Sequence, residues 1–328
     1  MDDLVHGGAM GAMAVAFPNA PLPWVDLSTG INPWPYPVGT IAQKSWQDLP
    51  DGSDVDACVS ALAQVGGCAP ANIVLTPGST AAMVAIKNAL AIHHVAVIAP
   101  TYGGYGEVFK ACDAVTDLQA AVACDGQAII LGNPNNPDGI WQDYKTVAEL
   151  STRLAAQGRW LIVDEAFGDV APHKCVSSLA GLPGLLILRS FGKFYGLAGL
   201  RLGAVLGPVS AIKAIRTELG PWPVSGPALE IGAKAYSDKA WQKQMAMCLY
   251  VEAAALDKVL LEAGFARAGG TALFRLITTK DAHAVWTKLA QAGIYVRRFA
   301  WSNHHLRFGL PPDALTLERL RSALQAQR

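Results

Sequence analysis

The sequence predicts an α/β fold built on a mainly parallel sheet, and three observations predict it. Short apolar runs alternate with helical stretches from about residue 54 onward. Those runs are bounded by Gly, Pro and Asp, as strands buried in a parallel sheet are. Several are followed at once by segments rich in Gly, Asn, Ser and Lys, and open α/β sheets place their ligands at such strand ends.

Taken in order, residues 1–40 are rich in Gly and Pro, with six prolines from Pro18 to Pro37. Proline fixes φ and removes an N–H donor, so this stretch is expected to be an arm rather than regular structure. Its aromatics, Trp24, Trp34 and Tyr36, favour an arm packed against something. Residues 54–64 and 79–92 read as helices. The apolar runs 95–99, 128–131, 160–163, 185–188 and 203–206 read as strands. The breaker Gly220-Pro221-Trp222-Pro223 suggests a boundary. A long helical stretch, 228–263, follows. The remainder reads as α+β: strand 272–277, helix 282–292, strands 294–299 and 305–309, and helix 315–325. The expected organisation is an arm (1–40) contributing to a smaller domain, a large domain (41–220) and a small C-terminal domain (221–328).

Composition narrows the function classes. The chain has 328 residues, 52% of them hydrophobic, enough for a large core. Only 16% are charged and the formal net charge is zero, so no nucleic-acid footprint is expected. Six scattered cysteines form no C-x-x-C pair and fit reduced thiols in the cytoplasm. Neither a leader-like start nor a membrane-spanning apolar run is expected. His93-His94 and His304-His305 are adjacent pairs that do not converge on one ion, so no metal is expected. No G-x-G-x-x-G spacing follows a first strand, which disfavours a dinucleotide site.

Four motifs carry the chemistry. Thr76-Pro77-Gly78-Ser79-Thr80 precedes a helix, whose first N–H groups and hydroxyls make a phosphate cradle. Read alone it is an ordinary Ser/Thr cap. Asn133-Pro134-Asn135-Asn136-Pro137-Asp138-Gly139 follows the run 128–131 and alone reads as a surface turn. Val163-Asp164-Glu165-Ala166-Phe167 puts a carboxylate at the end of an apolar strand, where it is costly without a cationic partner. Ser190-Phe191-Gly192-Lys193 follows the run 185–188. A lysine in a partly desolvated pocket can act as a nucleophilic amine toward an aldehyde. Arg201, in Gly199-Leu200-Arg201-Leu202-Gly203, can clamp a phosphate bidentately.

In this order and at these spacings the motifs resemble fold-type I pyridoxal-phosphate (PLP) enzymes of the aminotransferase class, from His6 to Arg307. The resemblance implies a Schiff base between Lys193 and PLP, with Asp164 paired to the pyridinium nitrogen so that the ring remains an electron sink. It implies Asn136 as donor to the phenolic oxygen, Tyr102 stacked on the ring, and Gly78, Ser79, Thr80, Ser190 and Arg201 on the phosphate. It also implies a homodimer. Two positions depart from the pattern. Phe167 stands where many aminotransferases have a Tyr donor, so the Schiff base is expected to be less acidified. Leu49-Pro50-Asp51 lacks the Tyr that relatives often lend to the partner's phosphate site.

The N-terminal segments His6-Gly7-Gly8 and Asp26-Leu27-Ser28-Thr29-Gly30-Ile31-Asn32-Pro33 resemble the threonine-phosphate decarboxylase family of cobalamin biosynthesis, close kin of the histidinol-phosphate aminotransferases. The resemblance implies a small phosphorylated amino acid as substrate, met by His6, Gly7, Gly8, Asn32, Arg297 and Arg307. Arg298 could serve in place of Arg297, since neighbouring strand residues face opposite ways. Which Arg takes the carboxylate and which the phosphate stays open. Decarboxylation of L-threonine O-3-phosphate is the expected reaction. The alternatives are amino transfer on a phosphorylated substrate such as histidinol phosphate, and a non-catalytic ligand-binding protein.

Overall fold

The computed structural model describes residues 7–325. The chain divides into two units: a larger one, Pro35–Lys243, and a smaller one made of the segments up to Trp34 and from Gln244 onward. The boundaries therefore differ from 40 and 220. The breaker at Gly220–Pro223 lies inside the larger unit. The helix after it, Gly226–Ser237, packs against the helix Gly52–Gly66. That packing is close because Gly232 has no side chain: a Cβ there would sit 2.9 Å from the Cys58 Sγ. The long helical stretch expected over 228–263 is two helices, Gly226–Ser237 and Lys239–Glu262. Asp238 separates them, its carboxylate accepting from the Trp241 N–H at 2.9 Å as an N-terminal cap does.

Strands are numbered along the chain. β1 (Val25–Leu27) belongs to the smaller unit. The larger unit holds β2 (Ile73–Thr76), β3 (His94–Ile98), β4 (Ala111–Val115), β5 (Ala128–Gly132), β6 (Trp160–Asp164), β7 (Leu185–Ser190) and β8 (Gly203–Leu206). The smaller unit resumes with β9 (Ala266–Thr271), β10 (Phe274–Thr278), β11 (Ile294–Phe299) and β12 (Ser302–Gly309).

The larger unit is a seven-stranded sheet in the order β2-β8-β7-β6-β5-β3-β4. The strands β4, β3, β5, β6 and β7 pair in parallel, and β8 runs antiparallel to both β7 and β2. The carboxyl ends of β2, β3, β5, β6 and β7 thus lie along one edge. One face packs Val95, Val97, Ile130, Ile162, Leu186, Leu188 and Val205 against Met83, Ile86, Ile212 and Ile215 from two helices, Ser79–Ala89 and Val209–Leu219. β2 and β4 are additions to the expected strands. β2, Ile-Val-Leu-Thr, is buried throughout; β4 is an edge strand with no fully buried residue.

The smaller unit is a five-stranded sheet in the order β1-β11-β12-β10-β9. β1, from the N-terminal arm, pairs in parallel with β11, and the other pairings are antiparallel. The helix Ala282–Gln291 covers one face through Trp286, whose indole N–H donates to the Val296 carbonyl at 3.0 Å.

Candidate active site

Two rows of cross-strand partners gather the predicted residues of the larger unit. Thr76 is paired with Gly203, and Gly203 with Ser190, across β2, β8 and β7. This row brings together the Gly78-Ser79-Thr80 turn, Arg201 and Ser190. A side chain on Gly203 would block it, since its Cβ would lie 2.9 Å from the Gly78 carbonyl carbon and 3.0 Å from the Ser79 nitrogen. Gly132, Asp164 and Leu188 form the second row, across β5, β6 and β7. It sets the turn that carries Asn136 beside Asp164 and just short of Lys193.

The helix Ser79–Ala89 begins at Ser79 with Gly78 as its cap residue, at φ +90°, and no side chain caps it. The plain Ser/Thr-cap reading of this motif therefore does not describe the turn, because the cap residue is a glycine and no side chain bonds the first N–H groups of the helix. The Arg201 guanidinium lies over this turn. A Cβ on Gly78 would stand 2.5 Å from Arg201 Nη2, so the glycine keeps open the space between arginine and turn. Arg201 itself is held at φ +54°, and its Nη1 donates to the Ala198 carbonyl at 3.2 Å.

Asp164 is buried, with 8% exposure. Its Oδ1 accepts from the Ala166 N–H at 2.9 Å and its Oδ2 from the Tyr105 hydroxyl at 2.8 Å. Burial pushes its carboxyl above the usual carboxylate range, against the pull of these two hydrogen bonds and of the Lys193 charge. Lys193 sits on a single helical turn, Phe191–Phe194, directly after β7. Its Nζ is 5.5 Å from the ring centre of Phe167, so the position where many aminotransferases have a hydroxyl presents an aromatic face to the amine. Tyr102 is half-buried and meets Tyr105 edge-to-face, with centroids 5.4 Å apart. The turn bearing Asn136 is tied down by its neighbour Asn135, which accepts from Thr101 Oγ1 at 2.7 Å and donates to the Pro100 carbonyl at 3.0 Å.

Behind Asp164 lies a buried ion cluster that the sequence reading missed. Arg189, 2% exposed, bridges Glu165 at 3.0 Å and also pairs with Asp169. Glu165 accepts further bonds from the Val176 N–H at 2.5 Å and Ser177 Oγ at 2.6 Å. The available signal was an Arg inside an otherwise apolar strand, one residue before Ser190. Tyr105 was missed too, though it stands three residues after Tyr102.

In the smaller unit, Arg297 and Arg307 are direct partners across β11 and β12. Arg298 points to the other face. Its guanidinium lies 4.7 Å from the Trp286 ring centre and 3.2 Å from His283 Nδ1, so packing occupies it and Arg297 shares a face with Arg307. Arg307 is buried at 4% exposure, stacks 4.9 Å over Phe274 and donates to the Ser28 carbonyl at 2.5 Å. Burial and the neighbouring Arg297 charge lower its pKa to about 9, opposed by Asp26. Like charges directly opposite on a sheet destabilise it, and an anion removes that cost. Gly7 and Gly8 belong to the same corner: the Gly8 N–H donates to Ser28 Oγ at 2.9 Å, and a Cβ on Gly7 would lie 2.8 Å from the Ser28 carbonyl oxygen. Ser28 in turn donates to Asp26 Oδ1 through its N–H (2.8 Å) and hydroxyl (2.6 Å). Asn32, 2% exposed, caps the Trp34 N–H at 2.9 Å. His6 lies outside the described residues.

The donor set of the larger unit fits the cofactor implied by the sequence. It offers an anion cradle, a buried acid for a cationic ring nitrogen, and an amine within electrostatic reach of that acid. Comparison with known proteins agrees. The family model for aminotransferase class I and II matches residues 42–326. A threonine-phosphate decarboxylase of Sinorhizobium is 39% identical over 98% of this chain and 97% of its own length. Another, of Pseudomonas aeruginosa, is 34% identical over 98% and 97%. The crystal structure of histidinol-phosphate aminotransferase from Sinorhizobium meliloti in complex with pyridoxal-5'-phosphate superposes with a TM-score of 0.82. It is 21% identical and covers 98% of this chain and 95% of that one.

Proposed function

Because the chain belongs to the class I and II aminotransferase family, and within it to the threonine-phosphate decarboxylases, we propose that it is a PLP-dependent decarboxylase of L-threonine O-3-phosphate. The observation that carries the cofactor half is the buried Asp164 carboxylate within reach of the Lys193 charge, beside an open anion cradle. PLP, when bound, supplies an electron sink for the pair left behind as a bond to the substrate Cα breaks. Gly78, Ser79, Thr80, Ser190 and Arg201 would bind its phosphate, Asn136 would donate to its phenolic oxygen, Tyr102 would cover its ring, and Asp164 would hold the proton on its ring nitrogen. Lys193 would supply the amine that holds the aldehyde, with loss of water, and is placed to return a proton to Cα.

The substrate half rests on full-length similarity to two decarboxylases and on the anion chemistry of the smaller unit. Arg297 and Arg307, a same-sign pair in a cross-strand position, are assigned to the substrate's anionic groups, with Gly7, Gly8, Asn32 and His6. Fixing both anions would select which Cα bond can break, favouring the C–COO⁻ bond over C–H. A homodimeric state, a cytoplasmic location and a place in cobalamin biosynthesis belong to this proposal and follow from the family resemblance.

The test has two arms. Borohydride reduction of the PLP-loaded protein is expected to label Lys193; labelling elsewhere, or none, overturns the cofactor assignment. Threonine phosphate is expected to release CO₂ without 2-oxoglutarate. Amino transfer to 2-oxoglutarate with no CO₂ overturns the decarboxylase assignment in favour of an aminotransferase.

A further inference from the structure

Resting on the PLP reading above, we propose that Tyr105 is a positioning residue: it keeps Asp164 ionised and aimed, and so fixes the proton on the cofactor's ring nitrogen. Tyr105 lies on the short helix Gly104–Val108 and packs into the apolar face of the sheet that Ile162 and Leu188 help to form. Asp164 follows Ile162 by two residues on β6, so its side chain emerges on that same face. The result is a contact across 59 residues of sequence, the Tyr105 hydroxyl donating to Asp164 Oδ2 at 2.8 Å. The Ala166 N–H holds Oδ1 at 2.9 Å, so the carboxylate is tethered at both oxygens and its plane is set. Each oxygen keeps a second lone pair, and one of these remains to accept from a ring N–H.

A buried tyrosine needs some partner for its hydroxyl, and Asp164 could be merely the nearest. Two features argue for more. The acceptor is the one carboxylate whose charge the cofactor requires, and burial works against that charge. Hydrogen bonds to the ionised form oppose that penalty, and Tyr105 supplies the side-chain one. The same ring also meets Tyr102 edge-to-face at 5.4 Å, so one residue supports both the acid and the aromatic assigned to the cofactor. Without the phenol the carboxylate becomes more basic, and the proton it shares with the ring nitrogen moves toward the acid. The ring then loses positive charge and withdraws electrons less strongly. Lys193 and Glu165 are the other charged groups acting on Asp164, and a change at Tyr105 leaves both in place.

Tyr105→Phe removes only the oxygen. In the apoprotein, the Asp164 carboxyl resonance, assigned by its loss in Asp164→Asn, is expected to titrate at higher pH in Tyr105→Phe than in the wild type. In the holoprotein, the NMR shift of an isotope-labelled ring nitrogen is expected to move toward that of unprotonated pyridine. PLP affinity is expected to fall on the order of tenfold, the scale of one hydrogen bond to a charged group. Difluorotyrosine incorporated at position 105, a stronger donor with the same ring, is expected to move both resonances the opposite way, so the test survives if the Phe variant folds poorly. Wild-type titration and ring-nitrogen shift in both variants would overturn the proposal. Failure of the wild type to bond PLP at Lys193 would instead refute the cofactor reading, and the apoprotein titration would still judge the hold of Tyr105 on Asp164.

Discussion

Consecutive strand residues point to opposite faces, and Arg297 and Arg298 show what this does to two identical side chains. Arg298 is spent on Trp286 and His283, whereas Arg297 shares a face with Arg307. Arg297→Ala is therefore expected to raise the KM for threonine phosphate by tenfold or more, as loss of a charge-assisted contact does. Arg298→Ala is expected to leave KM within a factor of two and to cost thermal stability through lost packing. Steady-state kinetics on both variants check this, and equal effects on KM would remove the assignment. Arg307 and Arg298 differ in the same sense: one is buried against a backbone carbonyl and a like charge, the other lies along an indole.

At the scale of elements, the legible parts were those where one physical signal dominates. β5, β6, β7 and β8 read correctly because strands buried on both faces are apolar throughout and end at breakers. β2 carries the same signal in four residues, too few to stand out beside the conspicuous Thr76–Thr80 turn that follows it. β4 has no such signal, since an edge strand exposes residues such as Asp113 and resembles loop. The break at Asp238 was hidden among good helix formers on both sides, Ala233, Lys234 and Ala235 before it and Lys239, Ala240 and Gln242 after it. It depends on a cap, so Asp238→Ala is expected to cost about 1 kcal/mol in urea unfolding. A change below the error of that measurement would show that packing alone ends the helix. In the candidate site, the turns bearing Gly78, Asn136 and Lys193 were legible because their residue types are unusual together. Tyr105 and Arg189 were not, because their roles arise from contacts with Asp164, Glu165 and Asp169, distant along the chain.

For the whole molecule, a site of this kind sets function against stability. Asp164 has a raised folded-state pKa, so the folded chain holds that proton more tightly than the unfolded chain. The linkage sign follows: the apoprotein gains stability as pH falls through the folded value and loses it as pH rises through that value. Thermal melts of apoprotein are expected to show Asp164→Asn melting no lower than wild type at neutral pH, with the wild type gaining on it upon acidification. A variant that melts well below wild type at neutral pH would contradict this. The ion cluster behind the site has a different consequence, for how the sequence can change over generations. Removing one member of a buried pair costs about 3–5 kcal/mol, against a total stability of about 5–15 kcal/mol. Arg189 answers to Glu165 and Asp169 together, so exchanging any one of them alone removes a large share of the chain's stability margin. The three are thereby expected to change together or not at all. Substitution at one of them is therefore expected to be tolerated only with compensating change at the other two, a constraint that falls on the strand ends carrying Asp164 and Ser190.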